Sequence, residues 1–490
     1  MKLEDIIHHN VAIKLQTLKT DQELVTQIQT QLNILGLYPG NTWLDGKYGK
    51  RTDEALTQFC HQYSLGSKTK DRFDSDFAQQ LLFPSSKPSP KPDYQTPYQK
   101  FLKDAAAGSQ DEPALLYKGI ATSPYHKQIS EYPKRLLQKP DGKNIVSLAK
   151  NLANFQSYPL IGQLPEIDEE GLQFLHPDIT EACVCVGVFV ERQLKVRWLG
   201  RNALANDEFW SSTKIIPLIH LITRLNSRYP RLDIDRTQIQ GRDTLGNGNS
   251  FTISQLAQDL ISYEEKIASS NSLGAMFKRF STQIENETWL KSITGNKNII
   301  FQGRYGETPF IDQPEVVNQD TGQILLSPDP KPPQWSDNTI SAYDLNRMIS
   351  LLGWHYYIPY PSRLPGAQWH SLESIIRAMG QDPARLADLA IEELGLENQI
   401  ESAVILSKLG NGVTSIRKRT EAVYLALIQF IDLSPQKLGQ PGKFISVSMA
   451  LRGAKQLNPR DPKREAWELD ARMATEVTEI LRRATMSELA

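Results

Sequence analysis

The chain has 490 residues, 40% hydrophobic and 23% charged, with a formal net charge of −1. That length predicts two or three domains, and the composition is that of a globular protein able to bury a sizeable core. The near-zero charge gives no electrostatic basis for nucleic acid or an anionic membrane as partner, and no apolar run approaches the ~20 residues that span a bilayer.

Met1–Gln16 carries acids and histidines where a secretory signal has an unbroken apolar stretch, so the expected location is cytoplasmic as encoded. Periplasmic or wall contact would then need another route. Apolar residues at helical spacing follow (Val25, Ile28, Leu32, Leu35). Next come a turn region with Gly36, Gly40, Gly46 and Gly49 and a second helical pattern with Ala55, Leu56 and Phe59. Gln29, Leu32, Leu35-Gly36, Gly40, Asp45-Gly46, Tyr48-Gly49, Thr52, Ala55 and Phe59 stand in the order of a known repeat. Over residues 22–83 the sequence resembles the peptidoglycan-binding domain 1 family, which implies a small all-α three-helix module within residues 1–83.

Five prolines between Pro84 and Pro97 mark residues 84–98 as a linker. Residues 99–164 read as a connecting region in which helical patterns such as "IVSLAKNLANF" alternate with Pro-containing turns. From Ile179, "ITEACVCVGVFVERQLKVRWLG" predicts two strands joined near Arg192. Cys183 and Cys185, two apart on that strand, share a face and cannot easily bridge. With Cys60 they read as reduced packing residues. An apolar helix after Lys214, further helices, an irregular stretch over 295–338, three late strands and a final amphipathic helix over 464–484 complete the order. First and last strands divided by a helical insert predict one α+β domain, an antiparallel sheet flanked by helices, over 165–490.

The segment "DEFWSSTKIIPLIHLITRL" puts Ser211 and Lys214 one helical turn apart, as a nucleophile and its base require. The same Ser-x-x-Lys spacing occurs at Ser67, Ser147, Ser415 and Ser434. Only Ser211 follows a strand hairpin and opens a strongly apolar helix. Ser147 is the competitor, in a helical pattern but without a preceding strand pair. Ser-x-Asn occurs at Ser269-Ser270-Asn271 and Ser336-Asp337-Asn338, and Lys-x-Gly at Lys47, Lys408 and Lys437.

Together these motifs resemble the penicillin-binding protein and class A β-lactamase superfamily of serine hydrolases over about 165–485. Spacing selects Ser269, 58 residues after Ser211 (269 − 211) against 125 for Ser336 (336 − 211), because the superfamily places roughly sixty residues there. The segment around Ser336 reads instead as a helix start, with Ser336 or Asn338 as N-cap. Lys408 is selected because it ends an apolar strand followed by two more.

The resemblance implies Ser211 as acyl-forming nucleophile, Lys214 as base, Ser269 as proton relay and Asn271 as the residue orienting Lys214. Lys408 would lower the pKa of Lys214, and the backbone N–H groups of Ser211 and Asn411 would hold the oxyanion. No cofactor or metal is expected. The substrate would be a peptidoglycan-type peptide or a related small amide or ester. Taken singly, each residue has an ordinary reading: Ser211 as a helix cap, Lys408 as a solvated strand end, Asn271 as a surface polar group.

Two departures bear on activity. Leu409 stands where the superfamily has a hydroxyl that binds substrate carboxylate, leaving Arg417, Lys418 or Arg419 to compensate. No Glu-x-x-x-Asn occurs near "FIDQPEVVNQDTGQ", where Glu315 and Asn318 are one residue too close and Gln313 takes the expected glutamate position. Two alternatives therefore stand beside the enzyme reading: a catalytically degenerate binding or scaffold protein of the same fold, and a glutaminase-type amidase.

Overall fold

Three long strands late in the chain set the architecture, because successive side chains on each point to opposite faces and both faces are apolar. Along Arg419–Asp432, Val423, Leu425 and Leu427 join one core while Tyr424, Ala426 and Ile428 join another. A strand buried on both faces must lie between two layers, and here both layers are helical. The computed structural model describes residues 2–489 except 9–10, 36, 39–43, 63–71, 83–94, 109–114, 117–118, 148–150, 302, 330–338 and 415. Most of the Pro-rich linker, the Ser67 pair, Ser415, Lys150 and Ser336–Asn338 lie outside the described residues.

The chain divides into two compact units, Met1–Thr96 and Pro97–Ala490. The first contains helices Leu3–His8, Leu15–Thr20, Gln22–Ile34, Lys50–Gln62 and Ser75–Leu82, and a two-stranded ribbon of Ile13–Lys14 with Arg72–Phe73. Its pattern residues serve its own packing. The buried Gln29 amide donates toward Tyr38 Oη, Asp45 Oδ1, the Lys47 carbonyl and Thr52 Oγ1 (3.1–3.2 Å), and its Oε1 accepts from Gly46 N (2.9 Å). Gly46 is obligatory: its φ is +67° and a Cβ would lie 2.6 Å from Gln22 Cγ.

In the second unit, β1 (Ile179–Val190) and β2 (Gln193–Arg201) precede α1 (Ile215–Arg228), α2 (Ile253–Ser262), α3 (Ser270–Phe277) and α4 (Ala342–Gly353). Strands β3 (Ile400–Thr414), β4 (Arg419–Asp432) and β5 (Gly442–Lys455) and helix α5 (Pro462–Thr485) follow. The main sheet runs β3-β4-β5-β1-β2, antiparallel throughout, with β5 paired to β1 at Val447↔Val186. First and last strands thus join one sheet across the helical insert, as the element order predicts. The turn between β1 and β2 has both central residues, Glu191 and Arg192, at positive φ (48° and 63°), the geometry that matches strand twist in tight hairpins. Helices α1 and α4 cover one face of the sheet, and α5 with Leu386–Glu393 covers the other. Cys183 and Cys185 are free thiols buried on one face.

Some expected elements differ. "IVSLAKNLANF" is not a helix in its described residues. Ile145–Val146 pairs alongside β5, and Leu152–Asn154 forms a 3₁₀ turn capped by the Asn151 side chain. Sheet pairing and a local cap override the helical spacing there. Ser147 therefore directly follows a strand. Residues 99–164 do not stand apart: Phe101, Leu115 and Phe155 enter one core of the second unit and Ile129, Tyr132 and Tyr158 the other. A second sheet, in the order Gly248–Thr252, Thr237–Arg242, Glu315–Asn318, Ile324–Leu326, occupies stretches read as helical or irregular. The N-cap of α4 is Ser341, whose side chain accepts from Asp344 N.

Asp470 on α5 ties residues 115–116 to this helix, accepting Leu115 N at 2.6 Å and Leu116 N at 3.3 Å. Burial pushes its carboxyl up to about 8. Native Asp470 thus keeps its proton where the unfolded chain, at ~3.9, has lost it. The stability it contributes is full below ~4 and falls as pH rises through about 8. Asp470→Asn, which keeps an acceptor and cannot ionise, should lose less Tm between pH 5 and pH 9 than the wild type by differential scanning fluorimetry. Parallel Tm–pH curves would refute this.

Candidate active site

After β2, Asp207–Glu208 pairs with Thr339–Ile340, and residues Trp210–Lys214 form a 3₁₀ turn that leads into α1. Trp210 has φ +47°, a strained value for a bulky residue. Its surroundings impose it. Trp210 Nε1 donates to Glu421 Oε2 (2.9 Å), and its ring covers Gly412, where a Cβ would meet the ring at 2.3 Å. Glu421 is fully buried and pairs with Arg417 (2.8 Å), Arg419 (2.6 Å) and Arg452 (3.0 Å). Burial raises its carboxyl, but Arg452, with Arg417 and Arg419, outweighs that and holds it below its usual range. Gly410 is the other close approach: a Cβ there would lie 3.0 Å from Ser211 N. Two glycines of β3 thus let the 3₁₀ turn lie directly against the strand.

In a 3₁₀ turn, residues i and i+3 eclipse, so Ser211 and Lys214 project to the same side. Lys214 is 1% exposed. Its Nζ donates to Asn271 Oδ1 (2.7 Å) and Ser270 Oγ (3.0 Å), and Ser270 Oγ in turn donates to the Leu260 carbonyl (2.8 Å). Burial first, then the charge of Lys408, push the Lys214 ammonium well below the usual lysine range, against the pull of Glu307 and Glu265. Both lysines face the Tyr263 ring, Lys408 Nζ at 3.5 Å and Lys214 Nζ at 5.7 Å from its centroid. Tyr305 lies on another side, 5.7 Å from Lys214 Nζ and 4.8 Å from Lys278 Nζ, with its hydroxyl 3.2 Å from Thr213 Oγ1. Burial pushes Lys278 down to about 7, helped by Arg304.

Strand β3 is the edge of the sheet, so alternate residues turn their backbone groups away from β4. Leu409 does so: its N–H donates to Asp382 Oδ1 (3.3 Å) and its carbonyl accepts from Tyr263 Oη (3.1 Å). By the period of two, Asn411 N–H shares that outward direction. Ser211, Lys214, Asn271, Lys408 and Asn411 therefore belong to one locality, built by the 3₁₀ turn, the start of α3 and the edge strand.

Ser269 departs from its expected contact. The hydroxyl beside Lys214 is that of Ser270, whereas Ser269 caps α3 by accepting from Ser272 N (3.1 Å) and donates to Glu307 Oε2. With two adjacent serines, motif spacing could not choose which hydroxyl turns inward; the capping geometry does. Glu307, absent from the sequence reading, accepts from Ser269 and acts electrostatically on Lys214. Gln313, Glu315 and Asn318 belong to another setting: Glu315 and Asn318 lie on a strand of the second sheet, where Glu315 accepts from Gln240. Leu409 is buried in the core on the face opposite Lys408. Arg417 and Arg419 are bound to Glu421, Glu208 and Asp207. Lys437 donates to Gln399 in a 3₁₀ turn, away from any such cluster. Among the described residues, no group of His, Cys, Asp and Glu could hold a metal ion.

No family model and no curated protein matches the chain. Solved structures similar to it include a β-lactamase from Desulfarculus baarsii DSM 2075, at 13% identity over 62% of this chain and 93% of that one, with a TM-score of 0.35. A β-lactamase from Sphaerobacter thermophilus DSM 20745 matches at 14% identity over 61% and 91%, TM-score 0.35. A peptidoglycan synthetase from Bifidobacterium adolescentis ATCC 15703 matches at 12% identity over 64% and 58%, TM-score 0.29. At TM-scores this low, these likenesses carry no weight in reading the site.

The depressed Lys214 ammonium has a consequence for stability. Between its native value and ~10.4 the unfolded chain binds a proton that the native state lacks, so stability from this group rises with pH across that window and is flat, at its lowest, below it. Lys214→Met fills the same volume without titrating. Its Tm should exceed that of the wild type at pH 6, and the excess should shrink by pH 10. A Tm difference independent of pH would contradict a depressed lysine.

Proposed function

We propose that the Pro97–Ala490 unit is a serine acyl-transfer domain of the penicillin-binding protein and β-lactamase kind, acting through an acyl-Ser211. One observation supports this above the others: a buried lysine amine held by two acceptors, three residues from a serine at the head of a helix. A neutral Lys214 uses its two N–H groups on Ser270 and Asn271 and keeps its lone pair for the Ser211 proton. Ser211 Oγ then bonds to the substrate carbonyl carbon, and the oxyanion takes hydrogen bonds from the N–H groups of Ser211 and Asn411. The C–N or C–O bond to the leaving group breaks as the proton returns from Lys214 through a nearby hydroxyl, Ser270 or Ser269. Water or an acceptor amine completes the turnover. The substrate class is a peptidoglycan-type peptide or a related small amide or ester, and the Met1–Thr96 unit is proposed to contact the wall polymer.

A scaffold role of the same fold is the second reading. Leu409 faces away from Lys408, and Arg417 and Arg419 are committed to carboxylates, which weakens recognition of a substrate carboxylate. No helix among the described residues is long and apolar enough to cross a membrane.

A fluorophosphonate or fluorescent penicillin should label the wild type, and Ser211→Ala should abolish the label. Labelling that persists in Ser211→Ala removes Ser211 from the mechanism, and a wild type inert to both probes favours the scaffold. Because the base must be unprotonated, the labelling rate should rise with pH and level off well before ~10.4. A rate still climbing in proportion to hydroxide at pH 10 would contradict Lys214 as the base. Purified sacculi should retain the full chain on sedimentation; recovery in the supernatant alone would remove the wall-binding proposal.

A further inference from the structure

Lys408 and Asp382 are both fully buried, and each ends in an atom with no hydrogen-bond partner, Lys408 Nζ and Asp382 Oδ2. They are neighbours, because Asp382 Oδ1 accepts from the N–H of Leu409, the residue after Lys408 on the edge strand β3. That N–H points away from the sheet and needs an acceptor; a backbone carbonyl or a neutral amide would satisfy it without burying a charge. A carboxylate here is expensive unless an opposite charge repays its dehydration, and Lys408 is that charge. A lysine stripped of water over an aromatic face needs the same compensation.

We infer that Asp382 is a positioning residue that favours the charged form of Lys408 and so, through the charge of Lys408, influences the protonation of Lys214. The inference rests on the acyl-serine reading for its catalytic part and on the buried pair alone for its electrostatic part. Burial depresses Lys408 and raises Asp382, and each opposes the shift of the other. Other groups face the pair. Lys214 comes from the 3₁₀ turn, Tyr263 from the end of α2 and Ser407 from β3 itself. Arg385, paired with Asp388 at 2.8 Å, precedes β3, and Tyr424 faces from β4. Glu307 and Glu265 act on Lys214 from the other side.

With Asp382→Asn, Lys408 loses its counter-charge and releases its proton at lower pH than in the wild type, where it does so at about 7. Lys214 then no longer faces a positive neighbour, its pKa rises, and its neutral form appears only at higher pH. The pH midpoint of acyl-probe labelling should move alkaline by about one unit or more, the size of effect that one close charge exerts, and Asp382→Glu should fall between the two. A lower Tm with an unmoved midpoint would reduce Asp382 to a structural role and overturn the inference. The pair is tested separately by a double-mutant cycle in Tm. Lys408→Met with Asp382→Asn should lose less than the sum of the single losses, because neither charge is left unpaired. Recovery of folded double variant where Asp382→Asn alone fails to fold counts as the same coupling, and additive losses overturn the pairing. If the wild type takes no label, the acyl-serine reading fails and the cycle alone decides the pair.

Discussion

Everything at the candidate site depends on keeping one amine dry. Lys214 sits where water cannot reach it, with two acceptors fixed against its Nζ and a second lysine across a shared tyrosine ring. An ammonium in that position is penalised by lost hydration and by Lys408 at once, whereas a neutral amine still satisfies its N–H groups. The elements around it can be understood as the structure needed to hold that arrangement. Helix α2 ends in Tyr263 in a left-handed conformation, which turns the chain toward the ring contact and on to the capped start of α3. α3 then presents Ser270 and Asn271 together.

The nucleophile side is fixed by a different force. A fully buried carboxylate, Glu421, gathers three arginines and the Trp210 indole, and the indole fixes the strained residue immediately before Ser211. Removing one partner from a buried ionic cluster of this kind costs about 3–5 kcal/mol, enough to hold one bulky residue at positive φ, which costs about 1–3 kcal/mol. Gly410 and Gly412 complete the fit by leaving room where any side chain would push the turn off the strand. The strain next to Ser211 is thus maintained from the sheet edge.

Much of this was legible in the sequence because it is written as pattern. Long apolar strands, an apolar helix after Lys214 and the split between first and last strands all follow from periodicity, and they fixed where Ser211, Lys214 and Lys408 could lie. What could not be read depends on single atoms or long separations. Ser269 and Ser270 are equivalent in composition and differ only in which one caps α3. Glu307 reaches Ser269 across 38 residues of chain with no periodic signal. Leu409 looked like a lost recognition group at the site, yet strand alternation turns it into the opposite core. At residues 145–146 the helical spacing gave way to pairing with β5, because a strand partner far along the chain outweighs local propensity.

Burial and Lys408 hold the Lys214 ammonium well below the usual lysine range, and direct titration of its side chain tests this without any substrate. Heteronuclear NMR of lysine-labelled protein, with Lys214→Met to assign the signal, would follow that ε-position across pH. The Lys214 resonance should titrate well below ~10.4 while solvent-exposed lysines titrate near it. A Lys214 signal that titrates with the surface lysines would contradict it.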